Sequence, residues 1–454
     1  MSHAFFAPSA LLPGGWATDV RLEVDAQGLL TAIETDAAPG DALRLPGPVV
    51  PGMPDLHSHA FQRALVGRTQ VAGPGEDSFW TWRQAMYASL DRLGPVEVAA
   101  VAGWLAVELL EGGFTSIAEF HYVHHQPDGT PYRDRAELSR RTLHALRSAG
   151  LSVAMLPVLY AHSGFGGEAP SAGQRRFLND VDGILEIVAA LEADAAGDPG
   201  VRVGLAPHSL RAVTPEALSA ALSGLASDAP VHIHISEQVK EVEDCIAWSG
   251  ARPVRWLLDH APVDSRWCLV HATHLDPGEV RDLARSRAVA GLCPTTEADL
   301  GDGLFPGVAY ARADGVFGVG TDSHVGRSVA GELRLLEYGQ RLRDRRRARM
   351  LPPGETHVGA ALWRACAAGG AQALGLPTGR IAVGLAADLV SFDPDHPTLL
   401  GLGGDALLDA LVLGQGDGAL HTVVARGAVV VEGGRHRERS ARLRAFRAAM
   451  ARLG

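Results

Sequence analysis

The chain has 454 residues, with 41 basic side chains against 52 acidic ones, a formal charge of −11 at neutral pH. Hydrophobic residues make up 46% and charged residues 20%, which excludes a disordered or collagen-like chain and provides for a large core. The acidic balance argues against nucleic-acid binding, and the length suits about three domains or a (β/α)8 barrel with a satellite domain. Lys240 is the only lysine, and a general preference for Ala, Gly and Arg makes the arginine richness uninformative about partners. Cys245, Cys268, Cys293 and Cys366 form no C-x-x-C motif and no disulfide framework, as in a reducing cytosol. No basic segment precedes an apolar stretch at the N-terminus, and no long apolar run occurs. Neither a signal peptide nor a membrane span is expected, and the expected location is cytoplasmic.

Residues 1–48 read as short strands with turns, for example "RLEVDAQGLLTAIET". Eight short apolar runs rich in β-branched residues follow, at 49–59, 115–122, 152–161, 201–209, 231–237, 267–274, 289–296 and 315–323. Helical patterns separate most of them, at 95–111, 133–149, 174–195, 214–226 and 239–259. Thr214 before Pro215 is a plausible helix N-cap. Eight buried strands alternating with helices predict an α/β fold, a (β/α)8 TIM barrel over 49–376. Past 376, "GRIAVGLAADLVSFDP" and "HTVVARGAVVVEGG" read as antiparallel strands. Residues 1–48 and 377–454 are expected to form one small composite β-sandwich domain. The basic stretch 435–454 should be a terminal helix lying on the body or at a subunit contact, and the arginines of 341–350 a solvated face.

Active sites of such barrels lie at the C-terminal strand ends. Those ends carry His57 and His59, His121, His162, His208, His234, His271, and Asp322 with His324. One strand-end histidine is ordinarily a packing residue, but so many on one rim point to a metal. In His57-Ser58-His59, residues i and i+2 face the same side of a strand, so both imidazoles can reach one ion. His234 adds a third nitrogen and Asp322 an oxygen, a set suited to a divalent transition metal that activates water. His232 competes with His234, which lies nearer the rim. Glu237, three residues beyond His234, can lean over the metal as a proton shuttle without ligating it. His271 can hydrogen-bond the water.

The segments "PDLHSH", "APHS", "HIHISEQ", "VHATH", "GVGTDS" and "GRIAVGLAADLVSFD" together resemble the amidohydrolase superfamily in its mononuclear deaminase branch, over essentially the whole chain. Within it, "HSHAFQRAL", "FWTWRQAMY", "EFHYVHH", "APHSLRAV" and "CPTTEADLGDG" resemble the formimidoylglutamate deiminases. The resemblance implies a zinc-dependent hydrolase acting on a linear amidine, N-formimino-L-glutamate, to give N-formyl-L-glutamate and ammonia in histidine degradation. It also implies a homodimer and places Gln62, Arg83, Tyr122, His208 and Arg211 in the substrate pocket. Two-metal relatives bridge their ions with a carboxylated lysine before the strand-five histidine; Lys240 follows His234 instead, so one divalent ion per chain is expected unless a carboxylate takes the bridging role. Zinc and ferrous iron share these ligands. Asp299 stands where the family suggests Asn, away from any ligand position.

The residues fit that substrate independently. Two carboxylates call for cationic partners, and Arg83 and Arg211 offer guanidinium forks. Hydroxide formed at the metal would attack the formimino carbon, with Asp322 and His271 orienting the water and taking its proton, and Glu237 protonating the leaving nitrogen. One alternative keeps the fold but deaminates a heterocycle such as guanine, a triazine or an adenosine-like base. A second is an amidohydrolase-like binding protein without catalysis. A flat heterocycle needs no paired arginine forks, and a binding protein needs no complete set of metal and acid–base residues.

Overall fold

The structure, a computed structural model, describes residues 3–70, 82–83, 86–87 and 90–453. Phe79, Trp80, Thr81, Gln84 and Ala85 of the "FWTWRQAMY" segment lie outside the described residues. The first five strands are β1 (His3–Leu12), β2 (Gly15–Val24), β3 (Leu30–Glu34), β4 (Leu43–Arg44) and β5 (Val49–Pro51). Next come β6 (Met53–Ser58), β7 (Phe114–His121), β8 (Ser152–Leu159), β9 (Val201–Val203), β10 (Ala206–Pro207), β11 (Val231–Ile235), β12 (Trp267–His271), β13 (Val289–Leu292) and β14 (Val316–Val319). The C-terminal strands are β15 (Leu389–Phe392), β16 (Leu420–Ala425), β17 (Ala428–Glu432) and β18 (Arg435–His436).

Strands β6 to β14 form two parallel runs, β10-β8-β7-β6 with β9 beside β8, and β11-β12-β13-β14. Parallel bridges Leu205–Val231 and Ser58–Asp322 join the runs at both seams and close the barrel. The fourth position is a strand broken into β9 and β10 at Gly204, where a Cβ would lie 2.3 Å from the Pro230 carbonyl oxygen. The other barrel strands are almost wholly buried, which explains their continuous apolar runs. Helix Val358–Leu374 packs against the first and last barrel strands, and its Trp363 indole donates to the Pro51 carbonyl (3.0 Å).

The two ends of the chain make one small β domain, its strands hydrogen bonded in the order β18-β17-β16-β15-β5-β1-β2-β3 with β4 beside β1. Strand β5 pairs with both β1 and β15. The run expected as one barrel strand from residue 49 is therefore shared between the two bodies, and the barrel begins at Met53.

Helices follow the expected pattern with two differences. The 174–195 pattern yields a helix only at Val181–Ala195, started by the Asp180 side chain accepting from Gly183 N (2.8 Å). The 239–259 pattern divides into Val239–Ser249 and Pro253–His260, because Gly250 turns left-handed (φ +77°) and Pro253 starts the next helix. Thr214 caps Pro215–Ser223 as expected. The basic terminal helix, Arg439–Leu453, lies on the barrel helix Pro95–Glu111. Phe446 stacks on Trp104 (5.9 Å between ring centres), Arg452 pairs with Glu97 (2.6 Å), and Arg439 pairs with Glu111. Among the described residues no helix is long and apolar enough to cross a membrane.

Candidate metal centre and active site

Strand β6 ends in His57-Ser58-His59, and the chain after β14 meets it there. Asp322 N donates to the His57 carbonyl (2.9 Å) and His59 N to the Asp322 carbonyl (3.1 Å). This closeness needs Gly320, where a Cβ would stand 2.7 Å from His57 N. The backbone then turns left-handed at Asp322 (φ +51°), a conformation that non-glycine residues keep where the surroundings fix it.

Three imidazole nitrogens converge at this seam. His57 Nε2 lies 3.2 Å from His59 Nε2 and 3.0 Å from His234 Nε2. Asp322 Oδ1 is 3.4 Å from His59 Nε2 and 3.6 Å from His57 Nε2. A tetrahedral ion with bonds of about 2.0–2.1 Å would separate its ligand atoms by about 3.3 Å, so the four side chains fit one divalent metal. Burial holds His59 down at about 3, and burial with neighbouring imidazoles holds His57 and His234 well below their ordinary value. Neutral rings are what a metal requires. His59 Nδ1 donates to the Phe120 carbonyl (2.9 Å), leaving the lone pair on Nε2. His232, the competing residue, bonds the Ala373 carbonyl instead (2.8 Å).

Beside this cluster lies a group of acids around His271. Its Nε2 is 3.7 Å from both Asp322 Oδ2 and Glu237 Oε1, and its Nδ1 is 3.3 Å from Glu297 Oε1. Burial alone would lower His271, but the surrounding carboxylates outweigh it and raise the ring to about 10. Burial pushes Asp322 up to about 7, against the pull of His271. A metal cation beside them would draw both values down again. Glu237 follows Ser236, which turns left-handed (φ +51°) where β11 ends. The buried Glu241 carboxylate fixes that turn by accepting from Ser236 N (3.2 Å) and Glu237 N (3.0 Å).

A cavity of about 540 Å³ opens above these groups, lined by His59, His234, Glu237, His271 and Asp322 at its floor. Gln62, Arg83, Tyr122, His208 and Arg211 all line the same cavity. Gln62 Nε2 donates to the Tyr122 hydroxyl (2.7 Å), and burial with Arg211 and Arg83 keeps His208 well below its ordinary value, hence uncharged. Other strand-end histidines stand apart from it: His121 faces Glu119 (3.7 Å), and His162 and His324 do not line the cavity. Lys240 pairs with Asp244 (2.8 Å) on an exposed helix face, and Asp299 accepts from Gln70 (3.3 Å) at the surface.

Sequence reasoning missed several residues. Glu297, in the helix Pro294–Leu300, orients His271 and also accepts from Cys293 N (2.8 Å). Asp302 comes within 4.8 Å of Glu237 and His271, and burial and the Glu237 charge push its carboxyl up to about 9. Tyr160 accepts from Arg83 Nη2 (3.0 Å) and Gln174 Nε2 (2.7 Å), and Tyr87 from Arg83 Nε, so two hydroxyls fix one guanidinium. Tyr160 directly follows β8 and was open to the same strand-end reasoning as the histidines. Under the metal seam, Asp55, Thr321, His324, Ser58 and Glu119 form a buried hydrogen-bonded chain.

Comparison with known proteins identifies the family. The model of the amidohydrolase family matches residues 49–430, and that of the formimidoylglutamate deiminase HutF N-terminal domain matches residues 2–45. The chain is 53% identical to formimidoylglutamate deiminase of Pseudomonas aeruginosa over 443 residues, 97% of each chain. It is 27% identical to 5-methylthioadenosine/S-adenosylhomocysteine deaminase of Natronomonas pharaonis over 435 residues, 93% of this chain and 92% of that one. The crystal structure of an amidohydrolase from Brucella melitensis superposes with a TM-score of 0.94 at 47% identity, covering 99% of both chains. The chain belongs to the amidohydrolase family and, within it, to the formimidoylglutamate deiminases.

Proposed function

We propose that this chain hydrolyses N-formimino-L-glutamate to N-formyl-L-glutamate and ammonia, with one divalent metal held by His57, His59, His234 and Asp322. The observation that carries the reading is the two-ended cavity: a ligand cluster at the floor and two guanidinium groups, Arg83 and Arg211, in its wall. The 53% identity to a formimidoylglutamate deiminase supports the same substrate.

The bound ion supplies Lewis acidity that makes water nucleophilic near neutral pH. Arg83 and Arg211 grip the two carboxylates of the glutamate moiety, assisted by Gln62, Tyr122 and His208, and so place the formimino carbon over the floor. Asp322 and His271 orient the attacking water and accept its proton. Glu237 carries protons to the terminal nitrogen. The water oxygen becomes the formyl oxygen, the terminal C–N bond breaks, and both water protons leave on ammonia. Glu297 holds His271 in register for this transfer.

Zinc is the favoured ion, with ferrous iron chemically competent at the same ligands. A role in histidine degradation, a cytoplasmic location and a homodimer complete the proposal. The test is to incubate the purified chain with N-formimino-L-glutamate and follow ammonia and N-formyl-L-glutamate together, alongside metal analysis. Both products in equal amount, with close to one ion per chain, are expected. No ammonia from this substrate but release from a heterocyclic amine would overturn the substrate, and two tightly bound ions sharing the site would overturn the single-metal mechanism.

A further inference from the structure

His324 is completely buried, does not line the substrate cavity, and is not among the side chains that converge on the metal seam. Each of its ring nitrogens nevertheless lies against a hydroxyl, and an imidazole with one N–H donates to one of the two. Nε2 lies 3.2 Å from Ser58 Oγ, and Nδ1 lies 2.8 Å from Thr321 Oγ1. Those two hydroxyls occupy telling positions. Ser58 stands between His57 and His59, and Thr321 directly precedes Asp322. Each hydroxyl is held from its other side by a buried carboxylate. Ser58 Oγ donates to Glu119 Oε2 (2.8 Å), and Glu119 also accepts from Ala60 N (3.0 Å), just past His59. Thr321 Oγ1 donates to Asp55 Oδ2 (2.6 Å), and Thr321 N to Asp55 Oδ1 (2.9 Å).

We propose that His324 is a positioning residue for the metal centre, its imidazole bracing the strand end that carries His57 and His59 against the one that carries Asp322. The proposal rests on the reading of those residues as ligands. The backbone supplies the reason for a brace. Asp322 and His324 both turn left-handed (φ +51° and +65°), an uncommon conformation for residues other than glycine, and both do so in a buried turn held by surrounding contacts. The ring reaches back three residues to Thr321 while His324 N donates to the Thr321 carbonyl (2.8 Å), closing the turn through both backbone and side chain. The second ring nitrogen transfers that fixed turn to the first strand. Groups hydrogen bonded directly to a metal ligand typically change metal affinity by about 10–100-fold when lost; His324 acts through the neighbours of the ligands, so that range is its upper bound.

The test measures zinc affinity of the full chain by chelator competition, and the visible spectrum of the cobalt-substituted protein. Wild type should bind one ion tightly; failure to do so would overturn the metal reading and this inference with it. Given a wild-type site, His324→Leu should bind zinc more weakly, by up to about 10–100-fold, and show an altered cobalt spectrum. Ser58→Ala cuts one link and should weaken binding in the same direction by a smaller factor. It carries the test should His324→Leu fail to fold. A residue that serves only general stability would lower the melting temperature of the metal-free protein and leave zinc affinity and the cobalt spectrum unchanged. That result, with the wild-type metal intact, overturns the brace alone.

Discussion

At the floor of the cavity, four ligand-type side chains come from three strand ends, two of which exchange backbone hydrogen bonds across the barrel seam. The arginine wall of the same cavity is assembled differently. Arg83 comes from the segment between the first two barrel strands and is fixed by Tyr160, 77 residues away, and by Tyr87. Arg211 comes from the loop after β10. The floor thus inherits its geometry from the barrel, whereas the wall depends on side chains meeting across long chain separations. Barrel architecture sets where hydrolysis can occur, and the loops set which molecule is presented to it.

The largest effect that separates the two regions should come from the floor. Glu237→Gln keeps the shape of the side chain but cannot exchange a proton, so kcat should fall by about 10²–10⁴-fold with metal content near wild type. Asp322→Asn weakens a ligand and a proton acceptor together and should lose metal as well. A Glu237→Gln protein that is fully active, or one that loses its metal, would show that the floor is divided wrongly between ligation and proton transfer.

Next come the wall arginines. Arg83→Met or Arg211→Met should each cost about 2–5 kcal/mol in kcat/KM for formiminoglutamate, with fold and metal retained. Unchanged kcat/KM in both variants would break the comparison and favour a heterocyclic substrate. A finer cut is Tyr160→Phe, which removes one hydroxyl from the Arg83 clamp. The loss of a hydrogen bond to a charged group predicts a cost of about 1.5–3 kcal/mol at most, read chiefly as a raised KM. Damage to kcat alone would place Tyr160 with the floor.

The smallest expected effect belongs to Lys240. Because it pairs on an exposed helix face, Lys240→Met should leave kcat/KM and metal content within about twofold of wild type. Loss of metal in that variant would give the lysine a bridging role that its position contradicts.

The same contrast governs what could be read from the chain. His57, His59, His234, Glu237, His271 and Asp322 were legible because each sits at or just past the end of an apolar run, and a barrel sends all such ends to one rim. Gln62, Arg83, Tyr122, His208 and Arg211 were placed chiefly by resemblance, and all five line the cavity. Glu297 and Asp302 escaped because a carboxylate in a short helix or loop carries no periodic signal; what gives them a role is His271, 26 residues from Glu297. The brace under the seam escaped for a related reason. Ser58, Thr321 and Asp55 look like ordinary neighbours of ligands until the closed barrel brings residues 266 positions apart into contact. The division of 49–59 between two bodies was hidden as well, since only Gly52 separates β5 from β6 and nothing in the sequence marks their different partners.

Strand β5 has a consequence for how the protein comes into being. Its neighbours in the small sheet are β1, already made when β5 emerges, and β15, made roughly 340 residues later. At a synthesis rate of about 5–20 residues per second, β5 waits roughly 20–70 s for that second partner. Throughout that interval the edge of Val49–Pro51 that will face β15 lacks its partner, the kind of open apolar edge that recruits strands from other chains. The barrel that will carry out the chemistry is translated entirely within this interval, so the nascent chain must keep its first sheet open, or shielded, until its last strands arrive.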